Sequence, residues 1–213
     1  MKDAVEITKQ TYNEIARDYI KKMDSRIFSS LWLRYFCRKF LKNLPKTGKI
    51  LVIGSGGGHS SLYLAKKSKY EIIGVDFSSE MIKIANEKKE KQNIKNCKFI
   101  EADIRTLKLD ATYIGILADS VLYHIPKEDM PFLLKKLYTS LEENGLFWSS
   151  FKEGSGFELQ ENPASYPKKP RAYWFYSPAE LKELFNRAGF KTKIKSLFPK
   201  FNNEKYIWVQ AKK

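Results

Sequence analysis

Glycines stand at positions 54, 56, 57 and 58 in the stretch ILVIGSGGGHS, directly after the apolar run Ile50–Ile53. Glycine lets a ligand approach bare backbone, and four glycines in five positions after a buried run read as a binding loop rather than a plain turn. Asp76 follows Gly54 by 22 residues. A carboxylate about 20 residues beyond such a loop is placed to accept both hydroxyl protons of a ribose. Asp103 and Asp119 end two further apolar runs, in FIEAD and GILAD. His124 in LYHIP is the best candidate for a general base, because imidazole titrates near neutrality. Its bland alternative is an imidazole bonded to a nearby carbonyl that shapes a pocket. His59, just past the glycines, reads as packed or solvated.

Strand-like and helix-like segments alternate along the chain and would position these groups. Lys49–Gly54, Tyr70–Asp76, Cys97–Asp103 and Tyr113–Asp119 read as four short buried strands. HSSLYLAKKS and SSEMIKIANEKKEKQ carry helical spacing, the second through Met81, Ile84 and Ala85. A long helix is expected from about Lys127, with Asn144-Gly145 as its stop, followed by the strand LFWSSFK. SPAELKELFNRAGF has Ser177 as N-cap, Pro178 at the first helical position and Gly189 past the end. KTKIKSLF and EKYIWVQAK close the chain as a hairpin. Such alternation implies right-handed crossovers and a parallel sheet, with ligands outside the carboxyl ends of the strands. Gly54, Asp76, Asp103 and Asp119 should therefore face one crevice.

The loop discriminates among cofactors. A dinucleotide fingerprint, G-x-G-x-x-G, requires a third glycine where His59 stands, and the pattern fails there. The triphosphate loop needs a Lys-Ser or Lys-Thr that does not follow at the right spacing. ILVIGSGGG, IIGVDFSSEMI, FIEADIRTL and GILADSVLYHIP, in this order, resemble the class I S-adenosylmethionine-dependent methyltransferases over about Lys49–Phe151, and a bacterial small-molecule-type subgroup in particular. The resemblance implies a Rossmann-like α/β fold: a mostly parallel seven-stranded sheet with a C-terminal antiparallel hairpin strand and helices on both faces. It implies S-adenosylmethionine as cofactor, S-adenosylhomocysteine as product and no metal. The backbone of Gly54, Ser55, Gly56 and Gly58 would cradle the methionine part. Asp76 would hold the ribose, Phe77 and Met81 would lie beside the adenine, and Asp103 and the Ile104 amide would meet the ring edge. Ala118 and Asp119 would line the methionine end.

Two positions depart from the family pattern: Val52 and Ile114 stand where it usually has acids. Either Asp119 supplies the missing negative charge, or backbone carbonyls suffice and Asp119 caps a turn; weakened binding is a third possibility. YNEIARDYIKKM places Tyr12, Ile15 and Tyr19 at helical spacing. That is either a helix packed on the sheet or, as the resemblance implies, a lid whose tyrosines close over the cofactor. Tyr123 is expected to wall the methyl-transfer site. Glycines and prolines in KEGSGFELQENPASYPKKPRAYWFYS exclude regular structure over much of that stretch, and a loop so long is expected to be functional. Its Tyr173, Trp174, Phe175 and Tyr176 read as an aromatic wall for an apolar or planar acceptor, or as burial over the sheet edge. Lys152, Lys168, Lys169 and Arg171 would attract an anionic substrate or be solvated.

The 213 residues suffice for one domain, divided here into an N-terminal helical cap (1–48) and a cofactor-binding core (49–213). The N-terminus is polar and acidic, unlike a signal or transit peptide, and no apolar run is long enough for a bilayer. Two cysteines and two histidines, all scattered, fit a reducing compartment and make no zinc site. A cytoplasmic location without membrane attachment is the expectation. The net charge of +15 is mostly lysine spread along the chain, which reads as solvated helix faces but keeps nucleic acid open as a partner. The fourth motif, ADSVLYH, lacks the N-P-P-Y or D-P-P-Y signature of base amino-group methylation, and no Pro-Cys nucleophile is present. Methyl transfer to a small-molecule acceptor is the reading; the alternatives are a nucleic-acid methyltransferase and a catalytically weak cofactor-binding regulator. The acceptor, its nucleophilic atom and the oligomeric state are not legible.

Overall fold

The computed structural model describes residues 2–25, 27–162, 166–197 and 204–213. Phe198, the last residue of one expected strand, and Pro163–Ser165 of the expected loop lie outside them. β1 (Lys49–Ile53) is parallel to β2 (Glu71–Asp76) on one side and to β4 (Tyr113–Ala118) on the other. β3 (Cys97–Glu101) extends the sheet beyond β2, and β5 (Leu141–Lys152) extends it beyond β4, both parallel. β9 (Tyr206–Lys212) runs antiparallel between β5 and β8 (Lys191–Leu197), giving the order β3-β2-β1-β4-β5-β9-β8. The chain reverses its direction of travel across the sheet between β1 and β4. Loops leaving the carboxyl ends of those two strands open a crevice there.

Alternation along the strands feeds two cores. Ile50 and Val52 pack under α2 (Ile27–Lys42), α3 (His59–Lys67) and α4 (Ser79–Lys91), beside Phe36, Phe40, Leu62 and Ala85. Leu51 and Ile53 face the opposite layer, which includes α5 (Met130–Ser140) and α6 (Pro178–Ala188) with Leu134, Leu137, Leu181 and Phe185. Ser177 caps α6 through a full capping box with Glu180, and Gly189 ends it at φ 109°. Among the described residues no helix is long and apolar enough to cross a membrane.

Two expectations are corrected. The helix after Lys127 stops at Ser140, before Asn144-Gly145: Leu141 is extended, buried and already paired with Tyr113. Asn144 does turn the chain, at φ 65°, but inside an irregular stretch of β5. The segment expected to lack regular structure contains a hairpin, β6 (Phe157–Asn162) with β7 (Tyr166–Trp174). Its prolines are tolerated because β7 is an edge strand. That edge is closed by α1 (Lys2–Ser25): Thr11 Oγ1 donates to the Pro170 carbonyl at 2.7 Å, and Ala172 N–H donates to Thr8 Oγ1 at 2.9 Å. Two threonines one helical turn apart thus take the place of a neighbouring strand.

Candidate active site

The glycine loop leaves β1 with Gly54, Gly56 and Gly58 at φ 65°, 51° and 83°. The three do different jobs. A Cβ on Gly54 would strike Val121 at 2.5 Å, and one on Gly58 would press on Phe99 and Ala85, so these two permit close packing. A Cβ on Gly56 would meet nothing within 4 Å. Gly56 alone faces open space with a bare backbone. Beside it the Ser55 hydroxyl is buried without a hydrogen-bond partner. Gly57 is covered by Ile20 of α1, whose Cδ1 lies 2.5 Å from an added Cβ.

Asp76 ends β2 next to this loop. Its two oxygens accept from Gly56 N–H at 2.8 Å and Ser78 N–H at 3.0 Å. Burial pushes the carboxyl up to about 6, against the pull of those backbone donors. Past the end of β2 a cleft of about 310 Å³ is lined by Phe77, Glu101, Ala102, Asp103 and Arg105, with Val5, Glu6 and Lys9 of α1 on its other wall. Phe77 and Asp103 are thus brought together, and Ala102 N–H donates to the Asp76 carbonyl. The Arg105 guanidinium grips Asp103 at 2.6 Å and Asp129 at 3.0 Å, a clamp the sequence reading missed although Arg105 stands two residues from Asp103. The side chains of Met81 and Ile104 do not line this cleft: Met81 packs with Ala16, Ile20 and Ile84 between α1 and α4, and the Ile104 side chain joins the α5 core, while its backbone lies between the cleft residues Asp103 and Arg105.

Beyond the loop, Ala118 is fully buried and Asp119 accepts from Ser150 Oγ at 2.6 Å and Ser120 Oγ at 3.3 Å. Burial raises the Asp119 carboxyl, and the two serine hydroxyls pull it back. Tyr123 and His124 form a short 3-10 turn (Leu122–His124). His124 Nδ1–H donates to the Ala172 carbonyl at 2.6 Å, which leaves the Nε2 lone pair for the Tyr12 hydroxyl at 3.1 Å. Burial lowers the imidazole to about 3, so the ring is neutral. Tyr12 touches Tyr19 and Phe77, and Tyr19 touches Tyr166. Tyr173 packs on Tyr123 and His124. Lys152 lies over the Tyr173 ring at 4.0 Å and pairs with Glu204 at 2.6 Å. Trp174, next along β7, turns to the other face and packs on Phe157. Its ring stands apart from the cluster. His59 pairs with Asp24 of α1 at 2.6 Å, beside the Lys88–Asp24 ion pair, and so helps dock α1 on the core.

A glycine loop at the switch point, a strand-end carboxylate on the loop's own amide and a nearby cleft lined by Phe77 and Asp103 make a candidate nucleoside-cofactor site in a Rossmann-like fold. A profile of the methyltransferase domain matches residues 50–145. That match, together with the relatives and solved structures below, supports the class I S-adenosylmethionine-dependent methyltransferase family. It is 30% identical to the malonyl-[acyl-carrier protein] O-methyltransferase of Bacillus anthracis, over 65% of this chain and 48% of that one. It is 35% identical to a carboxy-S-adenosyl-L-methionine synthase of Nautilia profundicola, over 53% of this chain and 48% of that one. The chain spans about half the length of the curated relatives it matches best. Among solved structures, the Burkholderia thailandensis 1,6-didemethyltoxoflavin-N1-methyltransferase, bound to its acceptor and S-adenosylhomocysteine, superposes with a TM-score of 0.75 at 18% identity. That match covers 100% of this chain and 89% of that one.

Proposed function

We propose that the protein transfers a methyl group from S-adenosylmethionine to a small-molecule acceptor. The observation that carries the reading is the set of groups at the ends of β1 and β2: the open Gly56 backbone with its N–H on the Asp76 carboxylate, the orphaned Ser55 hydroxyl, and the cleft lined by Phe77 and Asp103 that begins one residue past Asp76. These groups fit the cofactor's methionine, ribose and adenine parts in turn. When bound, the cofactor supplies an activated methyl group. The protein's share is to hold, orient and enclose. Asp76 must be ionised to accept from two ribose hydroxyls. Asp103, already fixed by Arg105, keeps lone pairs for an amino group. Asp119 offers negative charge within electrostatic reach of Tyr19, where Val52 and Ile114 offer none.

The neutral His124 is a poor proton acceptor on its own, and its role in this reading is to orient the Tyr12 hydroxyl at the acceptor. Tyr123 and Tyr173 wall that chamber, with raised pKa values that keep both phenols protonated. α1 and the β6–β7 hairpin roof it, as a lid. A roof of this kind suits a small acceptor better than a polymer. The test is calorimetric binding of S-adenosylhomocysteine, followed by methyl transfer from labelled cofactor into the small-molecule or RNA fraction of a cell extract. Label in small molecules is expected. Label confined to RNA would overturn the acceptor class, and absence of cofactor binding would overturn the reading itself.

A further inference from the structure

Arg171 is a buried cation without a counter-charge. It sits on β7, on the same face of the strand as Tyr173, and only 5% of its surface is exposed. Its guanidinium carbon lies 5.8 Å from the ring centre of Tyr12, 6.0 Å from Tyr166 and 5.9 Å from Tyr173. Aromatic faces attract a cation, but they do not replace a carboxylate. Among the described residues no acid pairs with Arg171; its guanidinium donates to the Tyr12 hydroxyl, while its Nε–H is buried with no hydrogen-bond partner. The other cations of this region are accounted for differently. Lys152 is paired with Glu204, Lys169 with Glu14, and Lys168 is exposed.

A buried guanidinium with no counter-charge and an unsatisfied Nε–H is costly to the fold and persists where a ligand completes it. Its planar fork matches a carboxylate, and its neighbours are rings. Tyr12, held by His124, stands between Arg171 and Phe77 in the chain of ring contacts that leads to the cofactor cleft. We propose that Arg171 is the specificity residue for a carboxylate on the methyl acceptor, so that the acceptor is a planar or apolar carboxylic acid bound as its anion. The inference rests on the methyltransferase reading above. A carboxylate has one other source in this site, the amino-acid end of the cofactor.

The experiment uses the full chain as wild type, Arg171→Met and Arg171→Lys, each checked for fold by circular dichroism. Benzoate, phenylacetate and acetate are titrated against their carboxamides at constant ionic strength, with and without S-adenosylhomocysteine. Binding is read by calorimetry and by the Nε–H resonance of Arg171 in 15N-arginine-labelled protein. At least one carboxylate is expected to bind the wild type tenfold or more tighter than its amide and to shift that resonance. Arg171→Met should lose the preference, and Arg171→Lys should keep part of it. Without ligand, Arg171→Met should melt no lower than wild type, since a structural arginine would lower the melting temperature. No preference for any carboxylate, or one that survives in Arg171→Met, overturns the proposal. Parallel titration with S-adenosylhomocysteine and with 5′-methylthioadenosine, which lacks the carboxylate, separates the two sources. If Arg171→Met weakens only the former, the guanidinium serves the cofactor and the acceptor assignment is wrong. Failure of wild type to bind either nucleoside, with the benzoate preference intact, would sink the methyltransferase reading and leave an anion site.

Discussion

Asp76 makes cofactor affinity depend on pH in a way the structure allows to be calculated. Its carboxyl titrates at about 6 in the folded protein, against 3.8 for an ordinary aspartate, because burial outweighs the Gly56, Ser78 and Phe77 amides. Two ribose hydroxyls need an ionised acceptor. With a pKa near 6 the ionised fraction falls from about ten-elevenths at pH 7 to about one-eleventh at pH 5, so binding should weaken about tenfold, or ~1.4 kcal/mol. S-adenosylhomocysteine is the ligand of choice, since neither its ammonium nor its carboxylate titrates in this window. Calorimetry from pH 5 to 7.5 should show the slope for wild type, and Asp76→Asn should bind weakly and flatly. Stability carries the opposite sign. The folded state holds this proton more tightly than the unfolded chain, so rising pH destabilises the fold between about 4 and 6, by ~3 kcal/mol when complete. Wild type should accordingly gain melting temperature relative to Asp76→Asn as pH falls from 7 to 4, whichever of the two melts higher at pH 7. Wild-type affinity that is flat with pH, or a slope preserved in Asp76→Asn, would refute the assignment of Asp76 to the ribose.

Gly56→Ala should cost only the left-handed backbone penalty, ~1–2 kcal/mol, yet weaken S-adenosylhomocysteine binding tenfold or more, because its methyl enters the open cradle. Gly54→Ala adds overpacking on Val121 of ~1–3 kcal/mol, so thermal denaturation should separate the two: Gly54→Ala loses stability first, Gly56→Ala affinity first. Asp119→Asn should weaken S-adenosylmethionine, which carries a sulfonium, about tenfold (~1.4 kcal/mol), while S-adenosylhomocysteine loses less; equal losses by calorimetry would make Asp119 a turn cap only. Ser177→Ala, which removes the α6 cap, should cost ~1 kcal/mol, visible as a lower melting temperature with cofactor affinity unchanged.

The cofactor half of the site was legible because its signals are local. Gly54–Gly58, Asp76 and Asp103 each sit where a buried strand ends, and the strand periodicity put all of them on one edge. The acceptor half is assembled across the chain. Tyr12 meets His124 across 112 residues, and Thr11 meets Pro170 across 159. No spacing rule spans such distances. The β6–β7 hairpin was missed because Pro167 and Pro170 argue against a strand until α1 is known to satisfy its free edge. Trp174 was grouped with Tyr173 because neighbouring aromatics look alike in a sequence. The period of two in a strand sends them to opposite faces.

Val52 and Ile114 illustrate how a departure from a family pattern becomes intelligible only in three dimensions. Read singly, each is a lost acid. In the fold both belong to one apolar cluster, with Phe36, Phe40, Leu117 and Trp148, and each is at most 3% exposed. A carboxylate at either position would be buried among these side chains, with the desolvation cost that implies. Among the described groups around the loop, Asp119 keeps a carboxyl group at the carboxyl end of β4, and there two serine hydroxyls offset part of the cost of burying it. In the proposed reading, negative charge stands at the end of β4 rather than beneath the glycine loop. The fold keeps an apolar cluster under α2 and α3, and in that reading the burden of matching a cationic ligand falls on a residue that Ser150, from the neighbouring strand, holds in place.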